Sequence, residues 1–148
     1  MPASIRIRDD LAESAPSIER YDGLFVKVVR KYVRERFLDV RDILILSPTL
    51  GLVRGLEPLG NSGVSQEDWH NPHIDTLRLR ELNQKAMRLL EDVAKSARFS
   101  EAFVNVGRNL FPIIEGIDNV LPCKITYAEG RGIGSKAADM KRWILRAS

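Results

Sequence analysis

The sequence predicts a mixed α/β fold, a three-layer α/β/α sandwich around a small, mostly parallel sheet. Three observations predict it. Helical apolar patterns alternate with short apolar runs along the chain. The runs lack polar alternation, which marks strands covered on both faces. The 148 residues suit one domain, 1–148, with one core.

Residues 1–16 read as an edge strand or arm. Ile5 and Ile7 alternate with Arg6 and Arg8. Leu24, Phe25, Val28, Val29, Tyr32, Val33 and Phe37 then recur at helical spacing and form an apolar face. Lys27, Arg30, Lys31 and Arg34 make a basic stripe on another face, with Arg36 beside it. Ile43-Leu44-Ile45-Leu46 reads as a strand of a parallel sheet. Residues 47–73 are rich in Gly and Pro and read as a long loop, the kind that usually carries function. Asp75 caps a helix over about 75–97. Ala102 to Val106 reads as a second strand, Leu110 to Ile117 as a short helix, and Cys123 to Ala128 as a third strand. A helix over Ala137 to Leu145 closes the order.

In such folds ligands meet the carboxyl ends of the strands. Two loops there stand out. Ser47-Pro48-Thr49-Leu50-Gly51 leaves its strand abruptly. Pro48 stops the ladder, Gly51 accepts a positive φ, and Ser47 and Thr49 bring hydroxyls. The plain alternative is a turn that ends the strand. In Glu129-Gly130-Arg131-Gly132-Ile133-Gly134-Ser135-Lys136, glycines let backbone N–H groups approach an anion, and Arg131 and Lys136 add cations. Gly132, Gly134, Ser135 and Lys136 fit a loose G-x-G-x-x-G/A form. The Gly-Lys-Ser order of a Walker A loop is absent, and no acidic residue follows ~20 positions on, as a dinucleotide site requires. Helix capping is the plain alternative there.

The basic stripe is either a track for a phosphate backbone or a solvated helix face. Glu57, Asp68 and His70 are the acid–base candidates. His70 and His73 lack a third ligand, so neither a metal nor a cofactor is expected. Cys123 reads as a buried small hydrophobe. No nucleophile–base pair is visible.

Composition narrows the classes. Hydrophobic residues make up 44% and charged residues 29%, which argues against disorder. No apolar run approaches the ~20 residues that span a bilayer, and no secretory signal opens the chain, so no membrane partner is expected. A lone cysteine points to a reducing compartment, the cytoplasm. The net charge is only +3, but Arg outnumbers Lys by 16 to 7, and guanidinium groups favour anionic partners. Surface ion pairs explain the same bias.

The segment Arg20-Tyr21-Asp22-Gly23-Leu24-Phe25, with Ile43 to Val53 after its helix, resembles an uncharacterised domain family related to the peroxide-stress protein YaaA. It is also similar to the uracil-DNA-glycosylase-like domain of archaeal archaeosine synthase, where a Ser-Pro-x-Gly-x-Val segment follows a core strand. Gly130 to Gly134, followed by a helix with Trp143, resembles the close of that group. Thr49-Leu50 stands where many relatives carry Lys-Tyr. The resemblance implies a uracil-DNA-glycosylase-like or Rossmann-like sandwich and relatives in nucleic-acid or modified-base biology.

The leading expectation is therefore a nucleic-acid- or nucleotide-binding domain. Its anion sits at Ser47, Thr49, Gly51, Arg131, Gly132, Gly134, Ser135 and Lys136, and its basic stripe is Lys27, Arg30, Lys31 and Arg34. One alternative is an enzyme acting on a nucleobase or nucleotide. Another is a non-catalytic interaction domain, homo-oligomeric or not, whose apolar loop residues Leu52, Val53, Leu56 and Leu59 meet a partner.

Overall fold

The computed structural model describes residues 1–2, 8, 10–58 and 74–147. The order is α1 (Ser17–Arg20), α2 (Leu24–Arg34), a 3-10 turn (Val40–Asp42), β1 (Leu44–Ser47), β2 (Gly51–Arg54) and α3 (Thr76–Ser96). Then come β3 (Glu101–Val104), a 3-10 turn (Phe111–Ile114), α4 (Ile117–Val120), β4 (Lys124–Tyr127) and α5 (Ile133–Ala147). The fold is mixed α/β.

The first strand is where expected, but its ladder partner differs. β1 pairs antiparallel with β2, from Leu44 opposite Arg54 to Ser47 opposite Gly51. Residues 51–54, read from sequence as loop, are thus a strand. The reason is local. Pro48 ends β1, and Gly51, with φ 74°, sends the chain back along it. A hairpin buried on both sides leaves the same unbroken apolar run as a parallel strand. The run encodes burial, not strand direction. Leu52 and Val53 are therefore core residues, 5% and 2% exposed, and not a docking loop. Leu56 is exposed, and Leu59 lies outside the described residues.

β3 and β4 form a separate, parallel pair, from Glu101 opposite Lys124 to Val104 opposite Tyr127. The other edge of β1 holds Met1 and Pro2. The Met1 amine donates to the Leu44 carbonyl at 3.0 Å, Leu46 N–H donates to the Met1 carbonyl at 2.8 Å, and Pro2 bridges Leu46 in parallel. Burial lowers the amine pKa to about 5, since the charged form loses its hydration. Ile5 and Ile7, the alternating pair of the expected arm, lie outside the described residues.

Alternate strand residues feed two apolar clusters. Ile43, Ile45, Val53 and Phe103 pack with Val26, Val29 and Tyr32 of α2 and Met140 and Ile144 of α5. Leu44, Leu46, Leu52 and Val104 pack with Leu82, Ala86 and Leu90 of α3. Strands thus have helices against both faces, which is why polar residues are missing from them.

The helices follow their signals with three corrections. α2 buries Val26, Val29, Arg30 and Tyr32, whereas Leu24 and Phe37 of the expected apolar face are 47% and 43% exposed. The segment 110–117 is not one helix. Gly116, at φ 95°, separates a 3-10 turn from α4. Asn83 of α3 donates through Nδ2 to the carbonyls of Ile113 and Glu115, each at 3.0 Å, and so satisfies that turn. α5 begins at Ile133, inside the glycine loop, four residues earlier than its apolar spacing predicts. Asp75 does cap α3, accepting from Arg78 N–H at 2.8 Å. Among the described residues no helix is long and apolar enough to cross a membrane.

Candidate functional site

The four residues of the basic stripe lie together. Lys27, Arg30, Lys31 and Arg34 line one open cleft of about 370 Å³ with Arg8 and, among the described residues, a single carboxylate, Glu35. Helical spacing of three and four residues stacks the α2 side chains on one side. Arg8 is held there by its own backbone N–H, which donates to the Arg20 carbonyl at 2.8 Å.

Charge is partly balanced around this cleft. Arg30 is not on a solvated face, as the periodicity implied. Its guanidinium is buried and donates to Asp22 Oδ1 at 2.8 Å and to the Glu19 carbonyl at 3.1 Å. A helix position predicted polar is thus used as an anchor between α1 and α2. That contact holds the Asp22 carboxyl below the usual carboxylate range. Lys27 meets Asp22 at 3.3 Å, and Arg8 meets Asp10 at 2.9 Å. Lys31 and Arg34 are held loosely, by Glu35 at 3.8 Å and Glu19 at 3.9 Å, with exposed side chains. Pairs of that kind contribute ~0–1 kcal/mol. A phosphate can therefore take over Lys31 and Arg34 at little cost, while Arg30 stays fixed as the cleft's base.

The Ser47 loop turns out to be a hairpin turn. Ser47 is fully buried, and its Oγ accepts from the N–H groups of Thr49 and Leu50, each at 3.2 Å. Its hydroxyl therefore organises the turn. The turn also sits on α3. Arg78 Nη2 donates to the Thr49 carbonyl at 2.8 Å, and Lys85 Nζ donates to the Leu50 carbonyl at 2.9 Å. A Cβ on Gly51 would stand 3.0 Å from Leu82 Cδ2. Packing and a positive φ thus both require glycine there.

The glycine loop is closed by a side chain of its own helix. Asp139 Oδ2 accepts from Gly130 N–H at 2.8 Å and from Glu129 N–H at 3.1 Å, and Arg142 meets the same carboxylate. These amides already hold an anion, and they lower the Asp139 pKa in return. Ser135 Oγ accepts from Gly132 N–H at 3.1 Å. Gly130 is needed for closeness, since a Cβ there would meet Lys136 N at 2.7 Å. Gly132 and Gly134 face open space. Arg131 is exposed, Lys136 is half-buried, and neither makes an ion pair among the described residues. The helix-capping alternative thus accounts for most of the loop's amides, and its two cations remain available.

Glu57 is exposed just after β2 and lines neither this cleft nor the cavity beside β3. Asp68, His70 and His73 lie outside the described residues. Cys123 is half-buried, and burial pushes its thiol pKa up, away from the reactive thiolate. Sequence reasoning missed Arg8 as a member of the basic cleft, because no local period links residue 8 to α2. Comparison with protein-family models, with curated proteins and with solved structures returned no match.

Proposed function

We propose that this chain binds the phosphates of a nucleic acid or nucleotide through the cleft on α2. One observation carries the reading: five cations, Arg8, Lys27, Arg30, Lys31 and Arg34, surround one cleft in which Glu35 is the only carboxylate among the described residues. Asp10, Glu19 and Asp22 pair with these cations from outside it, so the local excess of positive charge is small. Binding of moderate strength follows, dominated by counterion release. Arg131 and Lys136 offer a second phosphate contact at the strand-end loop. The proposal includes kinship with the YaaA-related group, cytoplasmic action and a three-layer sandwich. The two apolar clusters on opposite strand faces support that architecture.

The test is binding to short single- and double-stranded DNA and RNA, and to a nucleoside triphosphate, across a salt series. Binding at low salt that falls steeply and log-linearly with salt is expected. No binding to any of them at low salt contradicts the proposal.

A further inference from the structure

We infer that the half-open cavity beside β3 is a binding site for a small, neutral, mostly apolar molecule of about two fused rings that carries one hydrogen-bond acceptor. The cavity measures about 270 Å³ and lies where the two strand pairs approach each other, between Leu46 of β1, Phe103 and Val104 of β3, and Ile144 of α5.

Size and lining argue first. Apolar walls left without neighbours forgo their dispersion energy, so an apolar recess of this size favours an occupant. An apolar cavity of about 150 Å³ holds one benzene. This one has room for a second ring. Trp143 and Phe103 both line it and stack at 5.4 Å between centroids with 28° between planes, which gives it a flat aromatic wall.

A buried donor argues second. Asn105 follows β3, lines the cavity and is only 2% exposed, yet its Nδ2 has no hydrogen-bond partner among the described residues. Buried side-chain amides nearly always have one, since an unmade bond costs the full desolvation of the group. The Trp143 Nε1–H is buried too, but it faces the Glu101 carboxylate and is not a second free donor. A mostly apolar pocket with a single polar donor in its wall is the composition of a small-molecule site.

Charge argues third, and separates this site from the basic cleft. Among the described residues the lining has no Lys, Arg or His, and it includes the carboxylates Asp42 and Glu101. Glu101 is already satisfied. Thr126 Oγ1 donates to it at 2.5 Å and Arg146 Nη2 at 3.0 Å. The site therefore rejects an anion and does not call for a cation. A phosphate-bearing ligand does not fit it.

The probes are quinoline and naphthalene at pH 8. They share shape, but only quinoline carries an acceptor, its ring nitrogen, which is neutral at that pH. The whole protein is titrated with each by calorimetry. Quinoline is expected to bind one per chain, at least tenfold more tightly than naphthalene. Asn105→Leu should erase the difference, and Ala102→Phe, which fills the space, should abolish binding of both. No binding of either probe to the unmutated protein overturns the inference, and leaves Asn105 satisfied by buried water alone. Equal affinities for the two probes also overturn it, as does binding that survives in a folded Ala102→Phe variant. The comparison of probes on the unmutated protein needs no variant to fold.

Discussion

Arg36 is the one non-glycine residue with a positive φ among those described, at 63°. It stands just past the end of α2. Phe37 N–H donates to the Tyr32 carbonyl at 2.9 Å and Arg36 N–H to the Val33 carbonyl at 3.1 Å. These two bonds are the helix-ending motif that favours glycine in the left-handed position. Phe37 meets Tyr32 edge-on at 5.8 Å, the apolar contact that accompanies the motif. A side chain in this conformation costs ~1–2 kcal/mol, part of which glycine returns as unfolded-chain entropy. Arg36→Gly should therefore stabilise the protein by about 0.5–1 kcal/mol, seen as a rise in Tm of about 1–4 °C. An unchanged or lower Tm would mean that the arginine side chain itself is held. The strain was not legible in the sequence, where Arg36 extends the basic stripe and nothing local forbids one more helical turn.

At the scale of elements, the sequence marked strands and helices through burial, and failed where burial has two causes. Ile43 to Leu46 announced a covered strand but could not name its partner. Arg30 read as polar surface because its ion pair with Asp22 is a tertiary contact. The glycine loop shows the same limit. Gly130 is fixed by close packing, whereas Gly134 lies in α5 with open space above it. Gly134→Ala should stabilise the protein by about 0.5 kcal/mol, because alanine orders more cheaply in a helix. Chemical denaturation measures this, and a loss of stability would show that the bare backbone there is needed. Glu101 joins three elements. Thr126 on β4, helped by Trp143 and Arg146 on α5, holds its pKa at about 2. The folded pKa lies below the ordinary carboxylate value, ~4.3. The charge therefore stabilises the fold above that value, and the contribution is lost as pH falls toward about 2. Glu101→Gln should lower Tm at pH 7 by a few degrees, with the gap closing as pH falls through that window. A gap that stays constant with pH would assign the loss to packing instead.

For the whole molecule, the helix-and-strand alternation was legible and the way the strands join was not. Two strand pairs, one antiparallel and one parallel, replace a single expected sheet in the ladders, while helices still cover both strand faces. The candidate site was legible where it follows helical spacing, at Lys27, Lys31 and Arg34. It was illegible where distant segments meet. Arg8 reaches the cleft from another part of the chain, and Asn105 gains meaning only from the cavity around it. The loops at Ser47 and Gly130 attracted a ligand reading because glycine, proline and hydroxyl residues serve turns and anions alike. In the folded chain most of their polar groups are spent on turns and caps. That leaves the proposed phosphate contact to α2.

The most direct test is the salt slope of oligonucleotide binding for the unmutated protein and for a Lys31→Gln, Arg34→Gln double variant. Both side chains are exposed and loosely paired, so the variant should keep its fold. Binding should weaken, and the slope of log affinity against log salt should shrink by about 2, roughly one for each phosphate that a side chain no longer neutralises. An unchanged slope with unchanged affinity would place the phosphates elsewhere and contradict the account of the α2 cleft.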